Sequence, residues 1–364
     1  MISEEAEAWL ALNGSKLSPG MQRLLVEGLG SARAVLAADE AQAAELPGVN
    51  PLHLRHLDAA RRRTDLGKLR ELCVEHGVHL LSFQDAEYPA RLAEVPEGAP
   101  PLLFVQGELT RDDAMAVAMV GTRKATPYGL TTARRLAADL ARRGFTIVSG
   151  MALGVDAEAH EGALEASGRT VAIMATGADI TYPGSHQKLR ARIAESGAVL
   201  TELAFGSTPT RYAFPARNRI IAGLSLGTIV VEADRDSGAL ITAEHALEQG
   251  REVFAVPGSI ESPYSRGCHE LIKEGAHLVE TAEDVVAGLG LMLQSVPTRE
   301  ARPVADLSRD EQTVYDALGP QPLRVDQLVE STGLPTATLN ATLMLLEIKG
   351  LARRFAGGAY LRLQ

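Results

Sequence analysis

Arg211, Tyr212, Phe214, Arg217, Asn218 and Arg219 stand within one short stretch and form the set best suited to gripping a nucleic-acid strand. Guanidinium groups pair with phosphate, and an aromatic face stacks on a base that has left its helix. No acidic residue lies between positions 205 and 231, so the local field is positive although the whole chain carries a formal charge of −10. Phosphate contact depends on such local tracks more than on the overall sum. An intramolecular reading fits the same spacing: Arg217 and Arg219 bridge to carboxylates at strand ends and Phe214 joins the core. Spacing alone leaves both open.

Glycine-bearing turns offer a second kind of chemistry. Val120-Gly121-Thr122-Arg123 places a guanidinium beside a glycine that lets backbone approach a ligand, and Thr126-Pro127 then opens a helix. Ser149-Gly150-Met151-Ala152-Leu153-Gly154-Val155-Asp156 sets two glycines before a helix, the pattern of a backbone-amide cradle for phosphate, with Asp156 as the cap. Gly150 therefore joins the expected DNA-contacting set, and His160, one turn on, reads as a packed histidine rather than a metal ligand. Ala175-Thr176-Gly177 and Ser237-Gly238 make similar turns. None of these is a GxGxxG fingerprint, and no Walker A motif occurs, so no nucleotide cofactor is expected. Glu232, Asp234 and Asp236 read as loop-bounding and capping residues rather than an acid–base set. No catalytic residue and no metal site is assigned, and the chain is read as a binding protein, not an enzyme. Cys73 and Cys268 show no ligand spacing and read as buried small hydrophobes.

Such turns need a scaffold. Short apolar runs at 116–120, 146–148, 170–174, 198–201, 228–233 and 252–256 alternate with helix-length stretches, which implies βαβ crossovers and a Rossmann-like, mostly parallel sheet in an α/β fold. In an open sheet of this kind the turns at strand ends line the ligand crevice. Residues 1–85 carry helical spacing and read as a helical domain of the SAM or helix-hairpin-helix kind, with Leu46-Pro47-Gly48-Val49 as its hairpin. Residues 86–291 form the extended Rossmann-like DNA-binding domain. Its start, 86–110, is irregular apart from a short strand at 102–106.

Residues 292–307 hold two prolines and little periodicity and read as a linker. A winged helix is expected over 308–364: a helix at 308–318, a helix from Val325, a turn before a recognition-position helix at 336–349, and a hairpin around Gly357-Gly358. That last helix holds a single Lys and a Glu, which favours protein contact or a structural role over base readout. Composition is that of an ordinary globular protein, 46% apolar and 23% charged. With no apolar run of membrane length, no membrane contact and a cytoplasmic location are expected.

Gly-Thr-Arg at 121, Ser-Gly-Met-Ala-Leu-Gly-Val-Asp-Ala-Glu-Ala-His at 149, Tyr-Pro at 182, Phe-Pro-Ala-Arg-Asn-Arg-Ile-Ile-Ala-Gly-Leu-Ser at 214, Ser-Gly-Ala-Leu-Ile-Thr-Ala at 237 and Val-Pro-Gly at 256 together resemble, in order, the DNA-processing protein A family, also called Smf. The resemblance implies a single-stranded DNA-binding protein of natural transformation and competence. It would dimerise through its Rossmann-like domain, protect incoming DNA and load the RecA recombinase for DNA recombination. It also implies DNA contact by Arg123, by the Phe-Pro-x-Arg-Asn-Arg residues Phe214, Arg217, Asn218 and Arg219, and by Arg211 just before them. Leu271 and Ile272 then become candidates for the dimer contact. Departures from the family pattern are Ala175 at the head of its Gly-Thr-Gly turn and His186 where its Tyr-Pro loop ends in asparagine, which leaves Lys188 without a carried-over role. Two other functions fit the architecture. A nucleotide phosphoribohydrolase shares such a fold, but Val256-Pro257-Gly258-Ser259 lacks that group's Pro-Gly-Gly-x-Gly-Thr turn and its glutamate. A transcription factor would work through the winged helix.

Overall fold

The computed structural model describes residues 4–63, 65–95, 98–290, 307–319, 323–349, 351–354 and 359–362. Helices α1 (Glu4–Asn13), α2 (Pro19–Leu29), α3 (Ala32–Ala37), α4 (Glu40–Ala44), α5 (Pro51–Arg63) and α6 (Leu66–Glu75) form the N-terminal bundle. Side-chain caps start several of them: Ser18 accepts from the Met21 amide, Ser31 from that of Ala34, and Asp39 forms a capping box with Gln42. At the Leu46-Pro47-Gly48-Val49 hairpin, Asn50 Oδ1 accepts the amides of Leu52 and His53, so a side chain of the chain itself occupies the start of α5. Trp9, Leu12, Leu25 and Leu57 fill the bundle core.

Strand β1 (Val78–Ser82) departs from the helical spacing read for 1–85. It pairs antiparallel with β2 (Leu102–Gly107), from Val78 opposite Gln106 to Ser82 opposite Leu102, with the short α7 (Ala90–Ala93) between them. Five residues hold too little periodicity to separate strand from helix, and the partner twenty residues on decides. The bundle core continues into this pair through Leu102 and Phe104.

The βαβ expectation holds. In chain order come β3 (Ala116–Val120), α8 (Pro127–Arg142), β4 (Thr146–Ser149), α9 (Val155–Glu165), β5 (Thr170–Ile173), α10 (Gln187–Ser196), β6 (Ala198–Thr201), α11 (Ala213–Leu224), β7 (Gly227–Val230), α12 (Gly238–Glu248), β8 (Glu252–Ala255), α13 (Arg266–Lys273), β9 (His277–Leu278) and α14 (Ala282–Gly288). The described residues build one nine-stranded sheet in the order β1-β2-β6-β5-β4-β3-β7-β8-β9, parallel from β6 through β9. From β3 the chain winds outward to β4, β5 and β6, then returns through α11 to β7 and winds the other way. β3 and β7 thus flank the topological switch point.

Alternate residues of each strand feed two cores. Ala116, Ala118 and Val120 pack with α11, α12 and α13, while Val117 and Met119 pack with α8, α9 and α14. Cys268 lies in the first of these cores, and both cysteines are buried and free. Among the described residues no helix is long and apolar enough to cross a membrane.

The C-terminal unit comprises α15 (Arg309–Ala317), β10 (Leu323–Arg324), α16 (Val325–Thr332), α17 (Thr336–Ile348), β11 (Ala352–Arg354) and β12 (Ala359–Arg362), with its sheet ordered β10-β12-β11. This is the winged helix. Gly333, at φ +67°, ends α16 in the left-handed conformation that favours glycine. The wing turn around Gly357-Gly358 and the linker residues 292–306 lie outside the described residues. α17, in the recognition position, exposes Met344 and Leu345, and Lys349 beyond its end is ion-paired to Glu311 at 2.7 Å.

Helices α8 and α9 approach most closely at Gly162, where an added Cβ would collide with the carbonyl of Arg134. Gly162→Leu is expected to lower stability by about 1–3 kcal/mol through overpacking, read as a shifted urea midpoint at unchanged slope. Gly184→Ala, where a Cβ meets open space, should leave the midpoint in place.

Candidate nucleic-acid interface

The expected contact residues gather at the C-terminal ends of the parallel strands, around the switch point. α11 brings most of them. Pro215 sits in its first turn, where a missing amide hydrogen costs nothing, and Ile220, Ile221 and Leu224 anchor its far end in the core.

The structure divides the Arg-Asn-Arg run from the residues before it. Arg217 is buried, 6% exposed: its Nη1 donates to the Gly150 carbonyl at 2.7 Å and to the Ile173 carbonyl, and its Nε donates to Asn218 Oδ1 at 3.2 Å. It joins the ends of β4 and β5 to α11. Asn218, also buried, donates to the Gly238 carbonyl at the head of α12. Arg219 makes a two-pronged pair with Glu202, 2.6 Å for each N···O contact, just past β6. The intramolecular reading therefore holds for both arginines in kind, with Arg217 bonded to carbonyls and Arg219 to a carboxylate.

The Gly150 turn differs from the expected cradle for the same reason. Asp156, fully buried, accepts the amides of Gly150 at 3.2 Å and Ala152 at 3.4 Å, so the chain's own carboxylate occupies the place of an incoming anion. The helix cap is Gly154, at φ +81°, rather than Asp156. A side chain at Gly150 would run into the Arg217 guanidinium, so this glycine makes room for a cation. Burial pushes the Asp156 carboxyl up against the opposing pull of Arg217. Burial lowers Arg217 to about 10, with Asp156 acting the other way, and Arg217 stays charged at neutral pH.

Across the switch point, Glu232 positions the first turn. Its buried carboxylate accepts the Thr126 amide at 2.8 Å and the Thr126 hydroxyl at 2.6 Å, and its backbone carbonyl accepts the Thr122 amide at 2.7 Å. Thr126 in turn caps α8. This matches the loop-bounding reading of Glu232.

Arg123, at the tip of that turn, and Arg211 and Tyr212 ahead of α11 are exposed. The Arg123 guanidinium stands 4.6 Å from the Phe214 ring centre, and that of Arg211 stands 4.8 Å from the Tyr212 ring centre. Among the described residues neither arginine has a carboxylate within 4 Å. Tyr182, whose ring centre is 5.7 Å from that of Phe214, and Leu153, both exposed, complete an aromatic and aliphatic rim. In the sequence Tyr182 stands out only through the Tyr-Pro pair at 182. An aromatic residue in a strand-end turn was the available signal, and its closeness to Phe214 is a tertiary fact.

Comparison with known proteins agrees with this architecture. The family model described as DNA recombination-mediator protein A matches residues 79–290, and one described as DprA winged helix domain matches 298–358. The chain is 32% identical over 398 residues to the protein Smf of Synechocystis sp., covering 100% of both. Its fold is similar to the X-ray structure of DNA processing protein A from Streptococcus pneumoniae, with TM-score 0.68 and 36% identity over 79% of this chain and 98% of that one. It is also similar to DNA processing protein A from Helicobacter pylori, described for its single-stranded DNA binding mode, with TM-score 0.52 and 30% identity over 59% of this chain and 97% of that one.

His160 lies buried on α9 beneath these turns, packed as expected. The Thr170 hydroxyl donates to the Ile147 carbonyl and so accepts from His160 Nδ1–H, at 2.7 Å each, which leaves Nε2 bare and without a partner. Burial, then the charges of His186 and Arg217, lowers its pKa from 6.5 to about 3. The unfolded chain takes up this proton first. Stability from neutral His160 is therefore complete above pH 6.5 and is lost as pH falls toward about 3. Urea titrations below about pH 6.5 should show a loss of up to about 1.4 kcal/mol per pH unit, and His160→Phe should flatten that slope. An equally steep slope in the variant would assign the acid sensitivity to other groups.

Proposed function

The chain belongs to the DNA recombination-mediator protein A family, and from that membership we propose that it binds single-stranded DNA in natural transformation, protects the incoming strand and loads the RecA recombinase onto it. The observation that carries the reading is the pair of cation–aromatic contacts at the strand ends, Arg123 with Phe214 and Arg211 with Tyr212. A single strand offers phosphates and unstacked bases in alternation, and each contact supplies one group for each. A duplex hides its base faces and can use only the cations.

A binding role without catalysis is favoured by the state of the acidic residues near the switch point. Glu232 is spent on Thr126, and Asp156 is enclosed on the amides of its own turn. In this proposal Arg217, Asn218, Arg219 and Gly150 act by fixing the first turns of α11, while Arg123, Arg211 and Phe214 meet the strand. The functional division runs 1–85, 86–291 and 308–364, with DNA held by the middle part, in the cytoplasm. We further propose a homodimer with its contact along the β9 edge, where Leu278 is exposed and Ile272 half-buried. Leu271 is taken by the chain's own core and drops out of that contact.

Gel-shift titrations with single and double strands of equal length, at two salt concentrations, test the binding proposal. Single strands should bind tighter. Arg123→Ala should weaken binding and flatten the log-log salt slope by roughly 0.7 with stability unchanged. Arg217→Ala, which strips Asp156 of its nearest compensation, should instead cost about 3–5 kcal/mol of stability. A chain ending at residue 290 should bind as the whole does. Equal affinity for both strand forms, or an unaltered slope for Arg123→Ala, would sink the reading. For the dimer, Leu278→Arg should sediment as a monomer that still binds short oligonucleotides but holds long ones less tightly, since effective concentration is lost. A variant that stays dimeric would move the contact elsewhere.

A further inference from the structure

At the opposite end of the parallel strands from Arg123 the protein has a half-open cavity of about 640 Å³. Ala116, Val148 and Val171 from three adjacent strands are each about 1% exposed and close its inner end, Leu224 at the end of α11 forms a wall, and the half-buried Pro89 and Leu109 supply apolar sides. Arg91 of α7 forms one side. Among the described residues Arg91 has no carboxylate within 4 Å. Its guanidinium donates one long hydrogen bond, 3.4 Å from Nη2 to the Ala114 carbonyl, and its Nε is closed off from solvent with no partner. Thr110 Oγ1, on another wall, is likewise buried and unpartnered.

The nearby acids are engaged elsewhere or face water. Glu94 lies 3.6 Å from Arg251 and Asp113 lies 2.8 Å from Arg169, while Glu87 and Glu108 are exposed at the rim. Arg251 also donates to the backbone carbonyl of Arg91, at 3.2 Å, which brings a second positive charge close. Burial, then that charge, lowers the Arg91 pKa, with Glu94 pulling the other way. A guanidinium carries five N–H donors, and the Nε–H of this one has neither partner nor water. An anion inside the cavity would supply what is missing.

We propose that this cavity binds a small organic anion, with its acidic group on Arg91 and its apolar body against Pro89 and Leu109. The volume falls in the range of small-molecule pockets, as does the mixture of an apolar lining with a few placed polar groups. The site is separate from the strand-end crevice, so its occupant binds alongside DNA.

The full chain is titrated with two fluorescent probes of like shape, anilinonaphthalene sulfonate and the neutral N-phenylnaphthylamine. The sulfonate is expected to saturate at one per chain and to bind roughly tenfold tighter than the neutral probe, the worth of a charge-assisted contact. Arg91→Gln should erase that preference. Ala114→Trp, at an exposed rim position, should block both probes and keeps the test readable if Arg91→Gln folds poorly. A saturating single-stranded oligonucleotide should displace neither. Equal affinity for the two probes, wild-type binding by Ala114→Trp, or displacement by the oligonucleotide would each overturn the proposal.

Discussion

Gly150 is gripped from both sides by buried charge, its carbonyl by Arg217 and its amide by Asp156, and the placement of the first turns of α11 depends on that grip. Arg217 reaches Gly150 and Ile173 at once, so α11 cannot rotate or slide without breaking bonds at the ends of both β4 and β5. Phe214 stands one turn before Arg217 on the same helix and is thereby fixed beside Arg123. The cost of burying two opposite charges is met by hydrogen bonds to backbone groups, the circumstance in which such burial is tolerable. On the other side of the switch point, Glu232 does the corresponding service for the Arg123 turn through Thr126.

This arrangement reconciles an acidic chain with an anionic ligand. Much of the acid is answered locally: Glu158, Glu161 and Glu165 gather on Arg134 beside α9, and Glu202 is matched by Arg219. Among the described residues the two arginines at the crevice mouth have no carboxylate within 4 Å and each stands over an aromatic ring. The formal charge of −10 is thus a poor guide to the field beside Arg123 and Arg211, where local cations lack a carboxylate within 4 Å among the described residues.

Much of this was legible in the residues. The central strands announce themselves because each is a short apolar run bounded by turns, and the winged helix because Gly333 and the spacing of leucines mark its helices. Within the cluster from 211 to 219 spacing leaves the orientation open. Six functional-looking residues within nine positions carry no sign of which face water, since that depends on carbonyls 44 and 67 residues away in sequence. Asp156 misled similarly, as an acidic residue after glycines usually caps, and here its side chain turns back to close its own loop. β1 was hidden because its identity comes from pairing with β2 rather than from its own five residues.

The sheet order also sets a schedule for synthesis. β2 lies between β1 and β6, and β6 begins about ninety residues after β2 ends. On a ribosome adding about 5–20 residues per second, roughly 5–20 seconds separate the appearance of the two. During that time β1, α7 and the N-terminal bundle already stand against Leu102, Leu103, Phe104 and Val105. The bundle that shares Leu102 and Phe104 in its core thus shields one face of an unfinished edge, long before either strand end has a ligand to hold.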